Sequence, residues 1–183
     1  MENLVEKLIK QIEQGKRAEY LYFYQETEVP YGAFSQWHPS VFTDGGKKFT
    51  TAEQYMMAQK AIVFNDKQTL KSIMRTESPM EIKKLGRAVA NYDEAVWDKL
   101  RYPIVKTGSM LKFNQNQRLK NLLLNTGDKI LAEASPNDNV WGIGMIEADE
   151  NASNPRLWKG SNLLGFALME VRDELKKNGG AEK

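Results

Sequence analysis

The hydrophobic residues between Leu4 and Ile12 recur at spacings of three and four positions. This is the period of one face of an α-helix, and Gly15 follows as a stop signal. The pattern therefore predicts an amphipathic helix over residues 3–14.

Strand-like patterns occupy shorter stretches of the chain. Aromatic residues dominate 20–26, and the turn signal Asp44-Gly45-Gly46 lies in the middle of 41–50. Segments 129–135 and 140–146 flank a Pro-Asn-Asp-Asn turn. We predict a strand in the first segment, a hairpin in the second and one short strand on each side of the last turn.

Helical patterns account for most of the remaining chain. Ser78 before Pro79 marks one helix start, and Gly127 marks one helix end. Helices are predicted over 50–64, 67–76, 78–89, 91–113, 114–127 and 162–178, the last ended by Gly179-Gly180, with a polar surface loop over 147–161. The predicted fold class is α+β, a single mostly helical domain with a few short β-strands.

The helix predicted over 50–64 has no clear polar face. At about 100° per residue, Glu53 and Lys60 share one stripe with Met56, Met57 and Phe64. The two charged residues are about 10.5 Å apart along the helix axis, which is too far for the ordinary i, i+4 ion pair. Their position in an apolar stripe therefore needs another explanation.

Two interpretations of this stripe are open. In the structural one, Thr50 and Glu53 form a capping box, and Lys60 extends its stem over apolar surface with its amine in water. In the functional one, both groups are desolvated in an active site. Burial then lowers the pKa of the amine, which favours a nucleophilic free base, and raises the pKa of the carboxyl group, which favours a general acid.

A second candidate stretch surrounds Asp138. This residue lies in a turn just before Trp141, Gly142 and Gly144. An aspartate in such a turn commonly accepts hydrogen bonds from its own backbone, which is the structural interpretation. In the functional one, the glycines let a ligand approach the backbone and the indole stacks on a base.

The start of the last helix is a third candidate. Gly160 and Ser161 precede Asn162, which lies near the predicted N-cap. The sequence is compatible with a simple cap or with an anion site at a helix N-terminus.

Elsewhere, Trp37 lies in an aromatic loop, and Arg87 is either a surface cation or a phosphate ligand.

Composition narrows the possible classes of protein. The 183 residues include 26 basic and 24 acidic ones, a balance that does not favour wholesale binding to nucleic acid or membranes. With no cysteine and one histidine, the chain offers no thiolate or His-based metal site, and we expect no metal and no other cofactor. No apolar run approaches the length of about 20 residues needed to span a membrane, and the charged N-terminus lacks a signal-peptide core. These features indicate a reducing cytoplasm.

Several motifs recur in an order typical of one family. They are FSQWHPS, a DG hairpin, E-x-Y-x-x-x-Q-K beginning at Glu53, KKLGR, a Trp97-containing helix, M-x-x-K-F, LLLNTG, EASPNDNVWGIG and GSNLLGFALMEVR. In this order they resemble the YbiA-like family, also called NADAR (NAD- and ADP-ribose-associated). The resemblance runs from about residue 20 to about residue 175. It implies a domain over 20–177, preceded by the N-terminal helix of residues 1–19 and followed by a flexible tail of 178–183.

The resemblance implies an N-glycosidase that cleaves a bond from ribose C1′ to a base or amine nitrogen. The substrate would be a ribosylamino-pyrimidine phosphate of riboflavin synthesis or ADP-ribosylated guanine in nucleic acid. The implied catalytic residues are Glu53, Lys60 and Asp138. The substrate-binding residues are Ser35, Gln36, Trp37, Arg87, Trp97, Trp141, Gly142, Gly144, Gly160, Ser161 and Asn162.

The chain departs from the family pattern at two places. Many relatives have S-N-F-Y-P where this chain has Ser35-Gln36-Trp37-His38-Pro39, and the region 147–159 is longer than expected. Both departures border the expected ligand entrance.

Two mechanisms and two rival functions follow from these residues. Lys60 attacks C1′ and forms a Schiff base, or a carboxylate activates water while Lys60 only binds. The rivals to an enzyme are a non-catalytic module that binds ADP-ribose or a related nucleotide and, less well supported, a helical scaffold for a protein partner. The sequence does not predict the oligomeric state.

Overall fold

The computed structural model describes residues 3–180. Helices predominate in it and the strands are few and short, so the α+β, mostly helical class is confirmed. The elements are α1 (Leu4–Glu13), β1 (Tyr20–Phe23), β2 (Phe42–Asp44), β3 (Lys47–Phe49), α2 (Ala52–Val63), α3 (Lys67–Ile73), α4 (Pro79–Arg87), α5 (Glu94–Gln115), α6 (Gln117–Leu124), β4 (Ile130–Glu133) and α7 (Leu163–Gly180), with 3-10 helices at Tyr31–Phe34 and Pro155–Leu157.

The described chain divides into two compact units. The first unit combines the residues up to Ser35 with those from Asn121 onward. Its parallel strands β1 and β4 pair from Tyr20 with Ile130 to Phe23 with Glu133. Helix α7 packs on β4, whose first three side chains are fully buried, so the core of this unit lies between that strand and α7.

Helix α1 belongs to the first unit. It buries Leu8 and contacts the 3-10 helix Pro155–Leu157, where Glu13 and Arg156 form an ion pair. The side chain of Asn3 caps the first turn by accepting hydrogen bonds from the N–H groups of Val5 and Glu6. The predicted amphipathic helix is therefore confirmed over its described length, and it packs on a segment of the predicted polar surface loop 147–161.

The second unit runs from Gln36 to Lys120 and is built around α2. Helices α3, α4 and α5 and strand β3 all contact α2. Nine of its 12 residues are buried. Because neighbours surround this helix on several sides, it has no water-facing stripe, and its polar residues are buried with the apolar ones.

Two glycines allow the close approach of helices to α2. A Cβ atom on Gly86 would lie 1.9 Å from the Met57 sulfur, and one on Gly108 would lie 2.6 Å from the Tyr55 ring. Because glycine has no side chain, α4 and α5 can lie directly against α2 at these two positions.

The local predictions succeed where one short pattern determines the backbone. The hairpin forms around Gly45 and Gly46, both with positive φ, and Ser78 caps α4 as predicted. The strand predicted over 140–146 is wrong, because this segment forms turns and bends in which Gly144 has a φ of +70°. Helix α7 continues through Gly179-Gly180, and the rest of the predicted tail lies outside the described residues.

Candidate active site

Lys60 is buried in α2, with 9% of its surface exposed. Its amine donates a hydrogen bond of 2.9 Å to the carbonyl oxygen of Gly86. The same nitrogen lies 4.2 Å from the centre of the Tyr92 ring and 5.6 Å from that of Trp97. Burial lowers the pKa of this amine. The structure therefore corrects the interpretation in which the amine extends into water.

Glu53 is also buried, with 4% of its surface exposed. The structural explanation for this residue was a capping box with Thr50. Instead, Thr51 is the N-cap, and its hydroxyl group accepts a hydrogen bond from the N–H group of Gln54. The Gln54 side chain reaches back to the N–H group of Thr50 at 2.8 Å. The capping box predicted between Thr50 and Glu53 is therefore wrong, because Thr51 is the N-cap and Gln54 reaches back.

Tyr92 is a residue of this site that the sequence interpretation missed. It follows Asn91, which has a φ of +56°, in the turn between α4 and α5. Its ring contacts Phe64 edge-on, with 5.3 Å between the ring centres, and 45% of its surface is exposed. Tyr92 thus covers the Lys60 amine on one side and faces solvent on the other, a placement suited to contact with a substrate.

We expect Tyr92→Leu to lower kcat/KM for base release about tenfold, because loss of an aromatic face that can stack on a base costs about 1 to 3 kcal/mol. Tyr92→Phe keeps the ring and should retain most of the activity. The measurement is the pH profile of base release for both variants, since loss of the ring changes the surroundings of the Lys60 amine and should shift the pH dependence in the way predicted for a reaction that uses this amine. Equal losses in the two variants would show that the aromatic face has no such role.

Lys112 is a second buried lysine of this unit. It lies in α5 with 1% of its surface exposed, and burial lowers its pKa to about 7. One turn earlier, the Ser109 hydroxyl group is buried and has no hydrogen-bond partner among the described residues. The sequence marked Lys112 only as part of the M-x-x-K-F motif, and its complete burial makes it a candidate for a structural or functional role.

The other predicted residues of the second unit have different environments. Trp97 is buried, and its ring contributes to the surroundings of Lys60. Gln36 is buried, and its carbonyl oxygen accepts a hydrogen bond from the N–H group of Glu53. Trp37 is half-buried, with the Lys83 amine 5.7 Å from its ring centre. Arg87 is exposed at the end of α4, next to the glycine that binds Lys60.

Asp138 lies in the first unit and organises a turn. One of its carboxylate oxygens accepts hydrogen bonds from the N–H groups of Val140, at 2.9 Å, and Trp141, at 2.7 Å. This is the structural role that the turn sequence indicated. Trp141 is half-buried beside it. The proposed catalytic role of Asp138 stays a prediction.

The glycines near Asp138 allow two backbone segments to touch. A Cβ atom on Gly160 would lie 2.3 Å from the carbonyl oxygen of Gly142, and one on Gly144 would lie 2.9 Å from Lys159. These positions require glycine because protein backbone occupies the adjacent space, which is a structural reason independent of any ligand.

The start of α7 does not offer the donors of an anion site. The N–H groups of residues 161–164 donate to the carbonyl oxygens of residues 139–142, at 3.0 to 3.2 Å. None of these four groups is left for a phosphate. Asn162 is fully buried, and its side-chain amide bonds to the backbone of Leu131 and Glu133 in β4. The helix start therefore serves packing.

The predicted residues thus fall into two groups. Lys60, Glu53, Gln36, Trp37, Arg87 and Trp97 belong to the second unit, where the amine of Lys60 meets Gly86, Tyr92 and Trp97. The other group belongs to the first unit, where hydrogen bonds join two loop segments, and it consists of Asp138, Trp141, Gly142, Gly144, Gly160, Ser161 and Asn162. The buried Ser35 also belongs to the first unit.

No group of three His, Cys, Asp or Glu side chains in residues 3–180 is placed to hold a metal ion. No described helix combines the length and the apolar character needed to cross a membrane.

Comparison with known proteins agrees with the fold and the motif order. The NADAR domain family model matches residues 22–176. The chain is 42% identical over 162 residues to N-glycosidase R617 of Acanthamoeba polyphaga mimivirus. The aligned region covers 85% of this chain and 95% of the viral protein. It is 32% identical over 152 residues to N-glycosidase YbiA of Escherichia coli K12, covering 83% of this chain and 86% of that protein.

A solved structure also resembles the chain. The NMR structure of E. coli YbiA superposes with a TM-score of 0.74 at 30% identity, covering 89% of this chain and 88% of YbiA. The chain therefore belongs to the NADAR domain family. It is an N-glycosidase, a hydrolase that acts on N-glycosyl bonds.

Proposed function

We propose that this N-glycosidase hydrolyses the bond between ribose C1′ and a base or amine nitrogen of a nucleotide-like substrate. The substrate is a ribosylamino-pyrimidine phosphate or ADP-ribosylated guanine in nucleic acid. The observation that carries the proposal is the position of the Lys60 amine, which is buried against one carbonyl group and two aromatic rings.

The environment of Lys60 suits a nucleophilic amine. Burial lowers its pKa, which increases the fraction of uncharged amine near neutral pH. The contacts that the structure gives this amine are a carbonyl oxygen and aromatic faces rather than a carboxylate. An amine without a carboxylate neighbour loses its proton more easily, which is the condition for covalent catalysis by lysine.

The proposed reaction proceeds through a Schiff base. The Lys60 nitrogen bonds to C1′, the bond from C1′ to the base nitrogen breaks, and that nitrogen takes a proton. The ribose ring then opens as its ring oxygen takes a proton, which leaves an iminium between C1′ and Lys60. Water adds to C1′, the carbon–nitrogen bond to Lys60 breaks and the nitrogen keeps the electron pair, and the sugar leaves as ribose phosphate or as ADP-ribose. The net change is addition of one water across the N-glycosyl bond.

Proton transfer needs a second group, and Glu53 is the first candidate. It lies in α2, the helix that carries Lys60, and it is buried like Lys60. Burial of a carboxyl group generally raises its pKa, which is the condition for a general acid. Asp138 is the second candidate, although one of its oxygens is already bonded to two backbone N–H groups. In the alternative mechanism one of these carboxylates activates water directly and Lys60 only binds the sugar.

Aromatic residues are proposed to hold the leaving base. Tyr92 and Trp141 are each partly exposed, and either ring offers a face for stacking. Arg87, exposed at the end of α4, is the proposed partner of a substrate phosphate. This assignment replaces the helix start near Asn162, whose N–H donors are taken by the protein itself.

A paired hydrolysis assay tests the proposed substrates. The protein is incubated separately with a ribosylamino-pyrimidine phosphate and with single-stranded DNA that carries ADP-ribosylated guanine, and base release is followed by chromatography. We expect release from one of the two. No release from either, together with saturable binding of ADP-ribose, would favour the rival function of a non-catalytic nucleotide-binding module.

A further inference from the structure

A cavity of about 360 Å³ opens in the first unit, away from any residue predicted for catalysis. Strand β1, the segment that precedes the first 3-10 helix, and the loop after Met145 supply its walls. The lining groups used below are Tyr20, Tyr22, Tyr31, Glu28, Glu147 and Lys129. No residue of the predicted catalytic or substrate-binding set lines it.

The floor of the cavity is aromatic. Tyr20 and Tyr22 alternate with the buried Leu21 and Phe23 along β1, so both tyrosines point to the same side of the strand. Their rings stack with 5.9 Å between centres and an angle of 10° between planes. The ring of Trp158 lies edge-on to Tyr20 and is held by a hydrogen bond from its indole N–H group to Ala152. The floor is therefore fixed by contacts within the unit.

The rim of the cavity carries more negative than positive charge. Glu28 and Glu147 each contribute a carboxylate, and Lys129 contributes one ammonium group. Within residues 3–180, none of these three side chains takes part in an ion pair or side-chain hydrogen bond. The carboxylates are thus available to a ligand. Two carboxylates against one ammonium group leave a net negative charge at the rim, which favours binding of a cation.

One of the lining tyrosines has a buried polar atom without a partner. The hydroxyl oxygen of Tyr20 has no exposed surface and no hydrogen-bond partner among the described residues. Burial, with a smaller effect from Tyr22, raises the pKa of this hydroxyl group to about 12, so it stays protonated and can donate a hydrogen bond. Burial of an unsatisfied hydroxyl group is costly.

We propose that this cavity is a second ligand site, which binds a small aromatic amine. The tyrosine faces attract the cation and pack against its ring, and the carboxylates of Glu28 and Glu147 pair with its ammonium group. The volume accommodates a molecule of roughly ten non-hydrogen atoms. The proposal does not depend on the substrate proposed for the N-glycosidase reaction.

The site is tested by titrating 2-phenylethylamine into the ¹⁵N-labelled protein and following amide shifts by NMR. We expect saturable shifts in residues 20–31 and around Glu147. Glu147→Gln should weaken binding at least about fivefold, and the neutral analogue 2-phenylethanol should bind at least about tenfold more weakly than the amine. Glu150→Gln is the matched control, because this exposed glutamate lies in the same loop but does not line the cavity.

The outcomes are distinct from those of the hydrolysis assay. Equal binding of the amine and the alcohol, or equal weakening by Glu147→Gln and Glu150→Gln, would overturn the cation site. So would shifts that do not saturate. Each of these results can be obtained whether or not the protein releases base from the proposed substrates, so the two proposals succeed or fail separately.

Discussion

Lys60→Met is expected to reduce base release at least about 100-fold while the protein stays folded, because the variant lacks the amine that we propose to attack C1′. Methionine is close to lysine in length and is apolar, so it suits a position with only 9% of its surface exposed. The measurement is the initial rate of base release, with circular dichroism and thermal unfolding as checks of the fold. Stability should be equal to or higher than that of the wild type, since a buried amine is removed.

The matched control for this variant is Lys71→Met. Lys71 is exposed on α3 in the same unit, so its replacement removes one positive charge without touching the environment of Lys60. We expect this control to release base at the wild-type rate. Base release by folded Lys60→Met at a rate similar to that of Lys71→Met would exclude Lys60 from the reaction.

Lys112→Met is expected to change the pH dependence of stability. Burial lowers the pKa of Lys112 from 10.5 to about 7 in the folded protein. Between these values the unfolded chain binds more protons than the folded one, so the free energy of unfolding rises with pH from about 7 towards 10. From pH 7 to 9.5 this single group contributes a rise of about 3 kcal/mol, at about 1.4 kcal/mol per pH unit.

The measurement is urea unfolding of wild type and variant at several pH values between 6 and 9.5. Lys112→Met should be the more stable protein at pH 6 to 7, and its curve should be flatter. The pH range ends at 9.5 because Tyr20 and Tyr55 have pKa values raised to about 12 in the folded protein. Above pH 10 these two tyrosines lower the free energy of unfolding, since they lose their protons more easily in the unfolded chain. Lys99→Met, an exposed position on the same helix, should follow the wild type. Parallel curves for wild type and Lys112→Met would contradict this account.

The sequence predicted the most informative helix because its pattern was unusual. A charged pair within a stripe of Met and Phe had two interpretations, a capping box with the Lys60 amine in water or burial of both groups in an active site, and both groups are buried in α2. The pattern could not decide between capping and active-site burial, because Thr50 and Thr51 are adjacent and either can serve as N-cap. Because Thr51 is the N-cap, the residue whose side chain reaches back in the capping box is Gln54 and not Glu53. This shift of one residue depends on the packing of the helix start.

The sequence failed where distant backbone segments meet. The strand predicted over 140–146 and the anion site predicted at Asn162 are both replaced by hydrogen bonds between residues 139–142 and 161–164. Local patterns do not reveal that such segments touch. Tyr92 was missed for a similar reason, since a single tyrosine in a turn carries no signal until the fold brings its ring to Lys60. Lys112 was recognised as part of a motif, but its complete burial depends on tertiary packing.

Reductive trapping tests the central claim, that the Lys60 amine bonds to ribose C1′ during the reaction. The protein is incubated with cyanoborohydride and whichever of the two proposed substrates releases base, and its tryptic peptides are analysed by mass spectrometry. We predict a stable sugar adduct on the peptide that contains Lys60, and no such adduct when Lys60→Met is treated in the same way. Complete turnover of the substrate by wild-type protein with an unmodified Lys60 peptide would contradict the Schiff-base mechanism and leave direct attack by water as the route.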